Sequence, residues 1–145
     1  MCADILTSEE RSLMMGKIKG QNTKPELIVR SLCHSLGGRF RLHRRDLPGT
    51  PDLVFPKYRL CLFVHGCFWH RHPECKYAYT PKTNLEFWLS KFHRNVERDR
   101  EQEEALRALG WRVEVIWECE TKRPELLEAR LKEILKLSHL AISQK

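Results

Sequence analysis

The sequence predicts a small mixed α/β domain with a central sheet flanked by helices. Three observations carry that expectation. The apolar runs 53–55 and 58–64 are joined by Pro56-Lys57, which reads as a strand hairpin. Residues 111–117 form a further strand with period-two alternation at its start. Segments of helical periodicity stand before, between and after these strands, giving the order helix, helix, three strands, long helix, strand, helix.

A chain of 145 residues suits one domain with a sizeable core. The expected unit is 1–137, with 1–24 as an N-terminal arm and 138–145 as a frayed tail. A hydrophobic share of 41% and four tryptophans exclude a disordered chain. Lys plus Arg number 26 against 19 acids, a balance of +7 that favours a polyanionic partner, most simply nucleic acid. The N-terminus is polar and lacks the apolar stretch of a signal peptide, and no run reaches the ~18 apolar residues of a membrane span. A cytoplasmic setting is therefore expected, in which the six cysteines read as metal ligands or core residues before disulfides.

Taken in order, residues 7–18 read as a short helix, with Thr7 and Glu10 at capping-box spacing. Residues 17–24 are basic and polar: a solvated connector, or one that lies on phosphate. Thr23 and Glu26 open the next helix at the same spacing, with Pro25 in its first turn, and Gly37-Gly38 stops it. Capping is the simplest role for Glu26. Residues 40–43 alternate as a strand. Pro48-Gly49 is a turn signal, and Pro51 favours an extended Thr50, placing Asp52 at the start of an apolar strand. Thr83 and Glu86 predict a capped start to a helix reaching about Leu109. On it, Trp88, Phe92, Asn95 and Asp99 share one face. Asp99 either points at something across that face or pairs with nearby Arg94, Arg98 or Arg100. Pro124 opens the last helix.

The richest chemistry lies between His65 and Cys75, with two cysteines, three histidines and the pair Phe68-Trp69. Cys67, His72 and Cys75 have C-x4-H-x2-C spacing. Cys119 also follows a strand, and joins them if the two strands are neighbours; a Cys3His set is a filled tetrahedral zinc site of structural type. His70 competes with His72 as the histidine ligand. Cys33 and Cys61 read as core residues. His65 and His70 remain for chemistry. Asp52 suits Mg²⁺, a hard cation preferring oxygen, with a main-chain carbonyl such as that of Val64 beside it. His70 suits proton removal from water, since imidazole titrates near neutrality. Phe68 and Trp69 suit either wedging between base pairs or packing over the zinc loop.

These stretches carry a resemblance. Residues 47–52, 63–70, 86–89, 95–100, 109–113 and 117–119 together resemble the very short patch repair (Vsr) endonucleases, bacterial enzymes that nick DNA at T:G mismatches. The resemblance spans about residues 8–137. It implies a restriction-endonuclease-like fold with a structural zinc held by Cys67, His72, Cys75 and Cys119. It implies Mg²⁺ on Asp52 and the Val64 carbonyl, a catalytic His70 supported by His65, Glu26 and Asp99, and intrusion of Phe68, Trp69 and Trp88 beside the mismatch. A monomer acting on mismatched double-stranded DNA is expected, with a functional link to a cytosine methyltransferase and other repair proteins. Two departures stand out: Val64 replaces a threonine found in some members, and the 72–75 spacing is one residue longer than in some. The rival readings are a same-fold nuclease with other target rules, a zinc-stabilised binding module that does not cut, and a zinc hydrolase.

Overall fold

The computed structural model describes residues 23–143, with side chains to Lys136. The helix expected at 7–18 and most of the basic 17–24 segment lie outside the described residues. The elements are α1 (Lys24–Ser35), β1 (Arg41–Leu42), β2 (Leu53–Phe55), β3 (Leu60–His65), α2 (Leu85–Ala108), β4 (Arg112–Trp117) and α3 (Pro124–Ser143). They form an α/β domain with one four-stranded mixed sheet of order β1-β2-β3-β4. β1, β2 and β3 pair antiparallel, and β4 pairs parallel to β3.

The hairpin expected around Pro56-Lys57 is present, closed by a helical turn at Pro56–Tyr58 with Arg59 in the left-handed region at φ 53°. β3 is apolar on both faces because both are covered. On one face Leu53, Phe55, Leu60, Leu62 and Ile116 pack with Val29 and Cys33 of α1 and with Leu127, Leu131 and Ile134 of α3. On the other, Val54, Cys61, Phe63 and Val113 pack with Leu106 of α2 and with Leu47 and Trp111. Burial pushes the Cys33 and Cys61 thiols up to about 12, as suits inert core residues.

Three local expectations change. α2 does not start with a Thr83–Glu86 box: Asn84, left-handed at φ 57°, is the N-cap, and its side chain makes no capping bond. The left-handed approach moves the helix start one residue past Thr83. Thr50 is left-handed at φ 45° rather than extended. It follows a turn closed by Thr50 N–H on Leu47 O, whose central Gly49 (φ 76°) passes so close to Gln102 that an added Cβ would lie 2.9 Å from Oε1. Finally, α3 continues to Ser143, where the sequence reading places a frayed tail; no Gly or Pro interrupts it after Ser138.

Leu62 is fully buried at mid-sheet. Leu62→Ala is expected to cost ~2–5 kcal/mol of unfolding free energy, read as a lower urea midpoint.

Candidate active site

The sheet topology gathers the chemistry at one end. β3 and β4 run parallel, so their carboxyl ends coincide, with His65 opposite Trp117. β2 runs the other way, so its amino end, preceded by Asp52, meets the same edge. A cleft of about 850 Å³ opens there, with Glu26, Asp52, Val64, His65, Trp69, His70, Asn95 and Asp99 in its wall.

Three side-chain clusters form at this edge. In the first, Asp52 Oδ2 accepts from Val64 N–H at 2.7 Å. A strand residue's N–H and C=O point to the same side, so the Val64 carbonyl projects toward the Asp52 edge, beyond the last β2–β3 pair at Leu53↔Leu62. Glu26 is only 4% exposed. Its Oε2 accepts from Arg30 Nη2 at 3.0 Å and lies 3.1 Å from His43 Nε2. His43 Nε2 is also 3.8 Å from Asp52 Oδ1. Burial pushes the Asp52 carboxyl up to about 7, the Val64 N–H opposes this, and the Glu26 charge adds to the rise. The donor atoms of Glu26, His43 and Asp52 lie within 4.8 Å of one another, which suits a cation. Glu26 therefore does more than cap α1, although Thr23 Oγ1 does accept from Glu26 N–H as the sequence predicts.

The second cluster is His65, His70 and Asp99. Asp99 Oδ2 sits 2.6 Å from His70 Nδ1. The alternative of local arginine pairing is not realised in the hydrogen bonds of its neighbours: Arg98 donates to Asn95, and Arg100 to Glu97 and Glu104. A carboxylate on Nδ1 fixes a proton there and leaves Nε2 as the basic nitrogen. His65 stacks on His70 with ring centroids 3.9 Å apart. Burial, with the neighbouring His70 adding, pushes His65 down to about 3, so it stays neutral at the edge of the cleft.

The third cluster is Cys67, His72, Cys75 and Cys119, with all four donor atoms within 4.8 Å. His72 Nδ1 is 3.6 Å from Cys67 Sγ and 3.5 Å from Cys119 Sγ. Ligand bonds of ~2.0–2.3 Å in a tetrahedron place donors ~3.6 Å apart, so the set fits one small cation. His72, rather than His70, belongs to it. Cys119 comes into reach because it follows the paired His65↔Trp117 rung by the same two residues as Cys67 does. It sits in a helical turn, Glu118–Lys122, rather than at the strand's end. Glu120 anchors that turn, accepting from Trp117 N–H and from Arg130 of α3.

Phe68 is packed among Trp69, Tyr79, Trp88 and Phe92, with centroids 5.0–5.6 Å apart. Arg71 fastens the loop below them, donating to the carbonyls of Phe68, Ala78 and Tyr79 and lying 3.9 Å over the Phe92 ring. Asn95 Nδ2 donates to Trp69 O at 3.0 Å. The residues that sequence reasoning missed are His43, Arg30 and Arg71. Arg30 had a readable signal, its i+4 spacing from Glu26; His43 had only its place at the end of the alternating 40–43 segment.

Residues 3–77 match the family described as DNA mismatch endonuclease Vsr. Over 132 residues the chain is 54% identical to the type II nicking enzyme V.XorIIP of Xanthomonas oryzae pv. oryzae, covering 91% of this chain and 96% of that one. It is 41% identical to the type II nicking enzyme V.NmeAIP of Neisseria meningitidis, covering 92% and 94%. It is 43% identical to the DNA mismatch endonuclease Vsr of Escherichia coli, covering 86% and 80%. A restriction-endonuclease-like fold with these relatives defines a DNA endonuclease. The chain belongs to the Vsr family. Among the described residues, no helix is long and apolar enough to cross a membrane.

Two outcomes are expected. Chelation, or Cys119→Ser, lowers the thermal midpoint and removes bound metal as read by elemental analysis, because the cluster ties two strand ends together. The Asp52 carboxyl sits above its unfolded value, so the folded form is favoured while it stays protonated. Stability without added divalent cation should therefore fall as pH rises from ~4 through about 7. Asp52→Asn should flatten that fall, gaining most near pH ~8 in urea titrations.

Proposed function

We propose that the chain is a Mg²⁺-dependent, mismatch-specific nicking endonuclease that hydrolyses the phosphodiester 5′ of the mismatched thymine in T:G pairs and so starts very short patch repair. The observation that supports this most is one cleft wall bearing both the Glu26–Asp52 cluster and the Asp99–His70 pair. Asp52 and the Val64 carbonyl would hold Mg²⁺, with Glu26 alongside. A divalent cation there supplies charge neutralisation at the phosphate and favours ionisation of water. His70 Nε2 takes the proton of the attacking water, and Asp99 stabilises the imidazolium that forms. Neutral His65, stacked against His70, holds that ring in place. The bond between phosphorus and the departing sugar oxygen breaks as the new bond to the water oxygen forms, and that oxygen leaves with the bonding electron pair and takes a proton from solvent water.

Zn²⁺ at Cys67, His72, Cys75 and Cys119 has a structural role, since four protein ligands leave no open position. Phe68, Trp69 and Trp88 form the wedge beside the mismatch. The enzyme acts as a monomer on double-stranded DNA, and a cytosine methyltransferase is its functional companion. A second reading is favoured by one observation, the 54% identity to a type II nicking enzyme: a nickase of the same fold with different target rules.

The test is nicking of end-labelled duplexes with Mg²⁺, comparing T:G with matched T:A and C:G pairs. A nick 5′ of the mismatched thymine is expected. Cutting of matched duplex favours the second reading. Asp52→Ala should abolish nicking while DNA binding persists, and His70→Ala should slow single-turnover nicking by ~10²–10⁴. Binding without cutting on every duplex would overturn the endonuclease role.

A further inference from the structure

We infer that His43 is a third side-chain ligand of the Glu26–Asp52 centre, beside the Val64 carbonyl, giving it a mixed nitrogen–oxygen donor set that takes Mn²⁺ more tightly than Mg²⁺. This rests on the proposal above that a divalent cation sits at Asp52. Three observations carry it. First, Nε2 approaches two carboxylates, at 3.1 Å from Glu26 and 3.8 Å from Asp52. Ligand bonds of ~2.1 Å put adjacent donors of one octahedral shell about 3 Å apart and opposite donors about 4.2 Å apart, so the 3.1 Å separation matches adjacent donors and the 3.8 Å one falls between the two spacings. Second, the backbone fixes the residue in place. His43 N–H donates to Asp52 O at 3.3 Å, and His43 is left-handed at φ 45°, a conformation uncommon outside glycine. The rung that continues the β1–β2 pairing thus carries both donors. Third, the imidazole is 11% exposed and the Glu26 side chain 5%, so this is a buried, shaped group and not a surface cluster.

The consequence is chemical. Mg²⁺ prefers oxygen ligands and near-ideal octahedral geometry. Imidazole is a ligand of first-row transition cations; Mn²⁺ stands at the weak end of that series, yet unlike Mg²⁺ it belongs to it and accepts nitrogen beside oxygen. A chain with an oxygen-only centre would show no contribution from nitrogen. A simple hydrogen bond from Nε2–H to Glu26 would hold the carboxylate without touching the cation, and the two cases separate experimentally.

The experiment uses the full, zinc-loaded chain with Mn²⁺ as the probe and pulsed electron paramagnetic resonance as the readout. Wild type should show hyperfine coupling to a directly bound imidazole nitrogen, shifted by nitrogen-isotope labelling of histidine. His43→Gln, which keeps a donor toward Glu26, should lose that coupling. It should weaken Mn²⁺ by about tenfold or more and Mg²⁺ by less than about threefold in competition titrations. Absence of nitrogen coupling in the wild type overturns the inference without need of any variant. So does coupling that persists in a folded His43→Gln protein, or equal loss of both cations. Asp52→Asn separates this from the underlying reading: if Mn²⁺ binding survives it, the cation lies elsewhere and both fall. Binding that depends on Asp52 but lacks the His43 nitrogen removes the His43 assignment alone.

Discussion

β3 and β4 lie side by side in parallel with His65 opposite Trp117, and from that register the positions of the functional groups follow. Each strand ends at that rung, and the chain two residues further on delivers a cysteine, Cys67 after one and Cys119 after the other. Because β2 is antiparallel to β3, its amino end arrives at the same edge with Asp52 in front of it. β1, antiparallel to β2, ends there too and brings His43. Ligand sites of open α/β sheets lie beyond the carboxyl ends of the parallel strands. Here the antiparallel hairpin adds its carboxylate to that edge. A slip of one residue would turn every side chain to the other face and separate the two cysteines.

α2 works as a ruler laid across this edge. Successive turns present Phe92 to Phe68 and Arg71, Asn95 to the Trp69 carbonyl, and Asp99 to His70. The loop after β3 is thus held from two sides, by the cysteine–histidine cluster below and by one helical face beside it. His70 stands between these two anchors. Damage to either anchor reaches the His70 imidazole through the backbone of a few residues.

Much of this was legible in the sequence. The hairpin, the long helix and the alternation of 111–117 follow from apolar periodicity and turn residues, which act locally. The local cysteine–histidine triplet was legible from spacing. Cys119 needed the extra step of supposing the two strands to be neighbours. Glu26 and Asp99 were not distinguishable from a cap and a solvated charge by pattern alone; the resemblance to a family raised them, and burial beside Arg30 and His70 gives the physical reason. His43 was invisible because its chemistry arises from the β1–β2 register, and a lone histidine at a strand end has no spacing to read. The helix start at Asn84 was missed because a left-handed residue shifts the cap without changing composition.

The charge distribution adds a constraint of its own. The chain carries +7 overall, and Lys24, Lys91 and Arg98 stand in the cleft wall. Yet the floor of the cleft holds Glu26, Asp52 and Asp99. A polyanion is drawn to the basic surface, where lysine and arginine release its counterions. A phosphate pushed to the floor meets carboxylates in a partly dry site, where like charges repel strongly. The cation proposed above, standing between phosphate and carboxylates, would reconcile attraction at the rim with repulsion at the floor. On that proposal duplex binding is separable from cleavage: the rim would act without the cation, and the floor would admit a phosphate only with it. Arg30 meets Glu26 from within α1 and offsets that charge; at Asp52 burial favours the protonated carboxyl, drawn up to about 7, so a cation bound there would have to displace that proton.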